Sequence, residues 1–229
     1  MIAPRFFALV PAAGVGARSG ADRPKQYVPL AGRAMLAHTL GALAVVPRLA
    51  GTLVVVSPED DQFEAAVPGF DAAWLARCGG ATRAESVANG LNELTARGAR
   101  ADDWVLVHDA ARCLLRPEWV ERLIDACAPD AVGGLLAFPL PDTLKQARDG
   151  RAAATIDRRG KWAAQTPQMF RLGQLAEALA HAGDAVTDEA SAIESLGHAP
   201  LLVEAPLENF KVTWPADFAL AERLLRSRP

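Results

Sequence analysis

The chain has 229 residues, 51% of them hydrophobic, with a net charge of −3 and a pI near 5.8. That length suits one domain with an appendage, and the lack of a basic surplus argues against a general nucleic-acid binder. No apolar run approaches the roughly 20 residues that cross a bilayer, so the expectation is a soluble cytoplasmic protein with neither nucleic acid nor membrane among its partners. Cys78, Cys113 and Cys127 form no CxxC pair and read as reduced thiols rather than as a metal or redox centre.

Residues 5–12 (RFFALVPA) are a short apolar run of the kind found in strands buried on both faces. The run enters a glycine-rich loop directly, so the start of the chain reads as a first strand and not as a signal peptide. Residues 33–46 place Met35, Leu36, Leu40 and Leu43 at helical spacing. Residues 51–58 are a β-branched second strand ended by Ser-Pro, and 58–67 a short helix with acids in its first turn. Residues 72–78 are expected as a third strand, and 82–98 as an amphipathic helix stopped by Gly98. A strand ending in charge (103–112), a helix with Pro117 at its start (116–128) and a buried strand (131–140) follow. The alternation predicts an α/β, Rossmann-like, mostly parallel sheet flanked by helices. Such sheets bind ligands beyond the carboxyl ends of their strands.

Residues 141–168 break the rhythm by being polar and basic, with a tight-turn signal at Asp149-Gly150. The expectation is one domain over 1–229 with residues 141–166 as an inserted arm, a β-hairpin that protrudes and is exchanged between the subunits of a homodimer. A floppy insertion is the plainer alternative. Helices at 172–183 and 187–197, short strands at 200–206 and 209–215, and a last helix at 215–228 complete the chain, which reads as single-function because it stops just past that helix.

The loop LVPAAGVGARSGADRPKQY, residues 9–27, fits neither common phosphate-binding fingerprint. Gly14 and Gly16 match the start of G-x-G-x-x-G, but position 19 is Ser; Gly20 has no Gly five residues before it, and Lys25 lies five residues beyond it. Its small residues still let backbone N–H groups approach phosphate oxygens. Arg18 and Lys25 add two positive charges, enough to neutralise much of a triphosphate.

This loop resembles that of nucleotidyltransferases that activate sugar or polyol phosphates, most nearly the 2-C-methyl-D-erythritol 4-phosphate cytidylyltransferase family of the non-mevalonate isoprenoid pathway. GGATRAESVANGL, VHDAAR, DTLKQA, IDRRGKWAAQTPQMF, TDEASAIESLG and NFKVTWPADFALAE follow in the family's order. The chain departs from the pattern at Cys113, usually Pro, and at Ser19, often Met. The resemblance implies attack of a phosphate monoester oxygen on the α-phosphorus of CTP, with Mg²⁺ or another divalent cation as cofactor. Arg18, Lys25, Asp109 and Lys211 would then be catalytic. CTP would be held by Pro11, Ala12, Ala13, Gly14 and Gly16 with Arg18 and Lys25, and by Gly80, Ser86, Asp109 and Ala110. Methylerythritol phosphate would meet Thr166, Thr187, Lys211, Asp109 and Arg112 of one subunit, with Thr143 and Arg158 from the partner's arm. Asp109 would be the metal ligand.

Plainer readings stand beside these. Asp109 suits a helix N-cap, as does Thr187; His108 suits a structural role, Arg112 a loop fastener, and Arg83 and Ser86 the start of a helix. Two other functions share the loop: a ribitol 5-phosphate cytidylyltransferase, and a CTP-binding regulator that lacks turnover.

Overall fold

The computed structural model describes residues 3–14, 23–183 and 186–228. In chain order its elements are β1 (Phe6–Pro11), β2 (Pro29–Leu30), β3 (Arg33–Ala34), α1 (Met35–Ala44), β4 (Leu49–Val55), α2 (Phe63–Ala66), β5 (Leu75–Ala76), α3 (Arg83–Ala96), β6 (Trp104–Val107) and α4 (Pro117–Cys127). Then come β7 (Gly133–Pro139), β8 (Leu144–Arg148), β9 (Arg151–Ile156), β10 (Trp162–Arg171), α5 (Leu172–Ala182), α6 (Glu189–Ser195), β11 (Leu201–Glu204) and α7 (Pro215–Arg226).

Among the described residues, seven strands form the central sheet in the order β11-β7-β10-β6-β1-β4-β5. β1 pairs in parallel with β4 and β6, β4 with β5, and β7 with β11; β10 runs antiparallel between β6 and β7. Alternation along the strands feeds two cores, because successive side chains leave a strand on opposite faces. Ala8, Val10, Val54 and Leu106 pack on one side with Leu36 and Leu40 of α1 and Val120 and Leu123 of α4. Phe7, Leu9, Val55, Val105 and Val107 pack on the other with Val87 and Leu91 of α3, Leu175 of α5 and Ile193 of α6. This is the expected helix-flanked, mostly parallel architecture. Among the described residues no helix is long and apolar enough to cross a membrane.

Several elements differ from expectation. In 72–78 only Leu75–Ala76 joins the sheet, at its edge, after a 3₁₀ turn capped by Asp71. In 58–67 the helix is confined to Phe63–Ala66, because Asp60 Oδ1 takes the Gln62 and Phe63 N–H groups in a preceding turn. Residues 209–215 form no strand: Leu207–Asn209 is a 3₁₀ turn, and buried Asn209 spends its side-chain amide on Gln165 Oε1 (2.8 Å) and Thr166 O (2.9 Å). The expected arm divides. β8 and β9 form an exposed hairpin whose turn residues Asp149 (φ 51°) and Gly150 (φ 74°) are both left-handed, as a two-residue hairpin turn requires. From Trp162 onward the chain is instead the sheet strand β10, buried from Gln165 to Phe170. Its interior position is decided by pairing with β6 and β7, which the local polar composition does not signal.

The entrances of β1 and β6 are tied by Asp103, fully buried. It accepts from Arg5 N (2.8 Å), Arg5 Nη2 (2.7 Å), Arg100 N (2.9 Å) and Arg100 Nη2 (2.9 Å). Burial alone would raise its pKa, but these donors outweigh it and hold the carboxyl well below its usual range. Asp103→Ala takes the acceptor from the Arg5 and Arg100 backbone N–H groups, while the two Nη2 atoms keep Gly98 O and Ala3 O; a loss of about 2 kcal/mol is expected in urea unfolding, with kcat of the folded protein unchanged.

Candidate active site

The carboxyl ends of β1 and β6 lie side by side, and the residues that follow them line a cavity of about 430 Å³. β1 contributes residues 11–14; β6 contributes Asp109, Ala110 and Ala111; the α3 entrance contributes residues 80–83 and Ser86; Lys25, Gln26 and Lys211 complete the wall. Two local devices shape this mouth. Gln26 Nε2 donates to Ala12 O at 2.7 Å, while Ala12 N donates to Val55 O at 2.7 Å. Gly79 lets the α3 entrance approach β1: a Cβ there would stand 2.2 Å from Ala13 Cβ and 2.8 Å from the Val56 carbonyl oxygen. Ser86 turns inward, its hydroxyl donating to Thr82 O (2.9 Å) and accepting from Gly80 N (3.0 Å). It therefore fixes the 80–82 loop.

Asp109 is 7% exposed and faces the cavity. Its Oδ1 accepts from Arg83 Nε at 2.9 Å, its Oδ2 pairs with Lys211 Nζ at 2.9 Å, and Arg112 Nε lies 3.6 Å away. Burial would raise its pKa, but the charges of Arg83, Lys211 and Arg112 outweigh that and hold it far below the carboxylate range. It caps no helix, since α4 starts at Pro117. Arg83 extends the network: Nη1 and Nη2 donate to the two oxygens of Glu189 at 2.6 and 3.1 Å. Burial lowers the Arg83 pKa, and the two carboxylates raise it by more.

A second cavity, about 210 Å³, adjoins the first through shared Arg83, Asp109 and Lys211. Arg112, Thr166, Gln168, Thr187 and Asp188 line it as well. A register shift in β10 between Ala164 and Gln168 takes Thr166 out of the ladder with β7 and sets it beside β6; bulges commonly re-aim side chains in this way. Thr166 Oγ1 then accepts from Asp109 N at 3.0 Å and lies 3.0 Å from His108 Nδ1. His108 Nε2 faces the Arg112 carbonyl at 3.3 Å. A carbonyl only accepts, so Nε2 carries the proton and bare Nδ1 takes the Thr166 hydroxyl proton. That proton points to His108 and not into the cavity. Arg112 fastens the floor, with Nη1 on Asn209 O (2.8 Å) and Nη2 on Ala164 O (3.3 Å).

The structure thus gathers Pro11, Ala12, Ala13, Gly14, Lys25, Gly80, Ser86, Asp109, Ala110 and Lys211 around the first cavity, and Arg112, Thr166, Thr187, Asp109 and Lys211 around the second. Lys25 Nζ donates to Val212 O at 3.1 Å. Gly16 and Arg18 lie outside the described residues. Thr143 and Arg158 are exposed at the hairpin and line neither cavity. Thr187 does not cap α6; Asp188 does, its Oδ1 accepting from Ser191 N at 2.9 Å in a capping box, since a carboxylate reaches the third N–H and Ser191 answers it. Sequence reasoning missed Gln26, Gln168 and Glu189. Gln26 sat within the quoted loop and Glu189 within TDEAS, yet nothing local marks either side chain as turned inward.

The profile of the 2-C-methyl-D-erythritol 4-phosphate cytidylyltransferase family (IspD) matches residues 6–227. The chain belongs to that family. It is 61% identical over 226 residues to the bifunctional enzyme IspD/IspF of Albidiferax ferrireducens, covering 98% of this chain and 54% of that relative. Thus it spans about half of the bifunctional protein. It is 58% identical to the 2-C-methyl-D-erythritol 4-phosphate cytidylyltransferase of Laribacter hongkongensis, covering 96% of each. Among solved structures, a 4-diphosphocytidyl-2C-methyl-D-erythritol synthase superposes with a TM-score of 0.87 at 44% identity, over 96% of this chain and 99% of the other. The Francisella tularensis IspD gives 0.81 at 33% identity, over 96% and 99%.

For this family the donor set bears on the metal. Among the described residues no three His, Cys, Asp or Glu side chains cluster as a cage. Among the described residues Asp109 is the carboxylate that lines the larger cavity, which fits an ion held chiefly by substrate phosphates with one protein ligand.

Burial lowers the His108 pKa from 6.5 to about 4. Between those values the unfolded chain binds a proton that the folded chain does not, so stability falls as pH drops. Urea unfolding is expected to lose on the order of 3 kcal/mol from pH 6.5 to 4 at this residue, and His108→Gln to flatten that part of the profile. An unchanged slope in the variant would contradict the buried neutral imidazole.

Proposed function

We propose that the chain transfers the CMP moiety of CTP to 2-C-methyl-D-erythritol 4-phosphate. The products are 4-diphosphocytidyl-2-C-methyl-D-erythritol and pyrophosphate, an intermediate step in isoprenoid precursor synthesis. One observation carries this reading beyond family membership: two cavities meet at Asp109, Arg83 and Lys211, so one cluster can face both reactants.

The larger cavity takes CTP. Its small residues, Ala12, Ala13, Gly14 and Ala110, admit the nucleotide close to the backbone, and Lys25 with Arg18 neutralises the triphosphate. The smaller cavity takes the polyol phosphate, with Lys211 and Thr187 supplying donors. Lys211 stands at the junction, where the attacking monoester oxygen meets the α-phosphorus and pyrophosphate departs. Such a transfer needs positioning and charge neutralisation more than covalent help. Asp109, together with the triphosphate, would hold a divalent cation such as Mg²⁺, which would supply further neutralisation of phosphate charge. The exposed β8–β9 hairpin supports a homodimer in which Thr143 and Arg158 reach the partner's smaller cavity. Three free cysteines support a cytoplasmic location.

Pyrophosphate release with CTP and Mg²⁺ is expected with methylerythritol phosphate and not with ribitol 5-phosphate; release with ribitol phosphate alone would overturn the assignment. Lys25→Ala is expected to lower kcat on the order of 10²-fold or more, and a wild-type rate would refute its role. Mixed dimers of Arg158→Ala and Lys25→Ala subunits are expected to regain activity over either parent, because one composite site is then intact. Absence of recovery counts against the exchanged arm.

A further inference from the structure

Glu189 lines neither substrate cavity and is 1% exposed, yet it carries a charge. A carboxylate so deeply buried is tolerated only when paired and hydrogen-bonded. Its partner is Arg83, which donates to it through both terminal nitrogens, at 2.6 and 3.1 Å, while Nε donates to Asp109 at 2.9 Å. Arg83 lines both cavities. One planar guanidinium is thus clamped between a carboxylate from α6, on the wall of a neighbouring cavity of about 370 Å³, and a carboxylate from the end of β6, facing the nucleotide.

The clamp has a directional consequence. A guanidinium favours bidentate grip on a carboxylate or phosphate. Released from Glu189, Arg83 could close both terminal nitrogens on Asp109, displacing Lys211, or turn toward the phosphates. Held by Glu189, it presents only Nε to Asp109 Oδ1, and Oδ2 remains with Lys211 at 2.9 Å.

We propose that Glu189 is a positioning residue for the transfer: it orients Arg83 so that Asp109 keeps one oxygen for Lys211 at the junction of the two cavities. Glu189 acts through Arg83 and touches neither substrate. The proposal rests on the cytidylyltransferase reading. Wild-type turnover in the same assay separates the two, because a wild type that releases no pyrophosphate removes the reading itself.

The experiment is steady-state kinetics with CTP and methylerythritol phosphate on Glu189→Gln, Arg83→Met and their double variant, with thermal melting of each. Glu189→Gln keeps the shape and removes the charge. It is expected to lower kcat about 10- to 100-fold, as displacement of an aligned group does, with both KM values changed far less. The double variant is expected to be no slower than Arg83→Met alone, and to melt above it, because Glu189 is no longer buried unpaired. A Glu189→Gln variant with wild-type kcat, a rise in KM alone, or a double variant showing the product of both losses would overturn the proposal. Should Glu189→Gln not fold, Arg83→Lys carries the test. It keeps the buried charge pair without the planar fork, so a lowered kcat supports the clamp and a wild-type kcat overturns it.

Discussion

The carboxylate of Asp109 stands at the end of the central strand β6, 7% exposed, with Arg83 and Lys211 each 2.9 Å from it and Arg112 at 3.6 Å. A buried charge of this kind is stable only with its counter-charges in place. Those counter-charges come from three separate parts of the chain: the entrance of α3, the turn after β6, and the segment before α7. Satisfying one carboxylate therefore pins three loops, and the two cavities are the spaces left between them. The backbone of Asp109 is held as firmly, through Thr166 and its partner His108.

The charge balance of this cluster suits its substrates. Among the described residues, four cations, Arg83, Arg112, Lys211 and Lys25, stand against three carboxylates, Asp109, Glu189 and Asp188. The site keeps a positive excess for phosphates while each buried charge keeps a partner. Placing such a cluster beyond the strand ends also leaves the apolar core uninterrupted, since residues 104–107 of β6 are fully buried by hydrophobic neighbours on both faces.

Much of this was legible in the sequence, because it rests on local signals. Apolar runs marked the buried strands, Gly98 (φ 84°) stopped α3, and Asp149-Gly150 made the hairpin turn. The cations and carboxylate at the strand ends were legible through motif resemblance. What escaped depends on contacts distant in sequence. β10 reads as a polar arm because its burial comes from β6 and β7, and residues 209–215 read as a strand although Asn209 and Arg112 claim that segment through side chains. The Arg83–Glu189 pair joins residues 106 positions apart, which no window of periodicity spans. Asp188 rather than Thr187 caps α6 for a subtler reason: both suit the role, and only the backbone geometry at Ser191 decides between them.

In the proposed reaction the Asp109 carboxylate aligns both reactants rather than merely binding one of them. Asp109→Asn keeps the shape and removes the charge, and comparing its kcat with its KM for CTP and for the polyol phosphate tests this most directly. A kcat lower on the order of 10²-fold or more is expected, with a much smaller change in either KM, since the surrounding cations persist. A wild-type kcat, or a loss confined to a raised KM for one substrate, would contradict it.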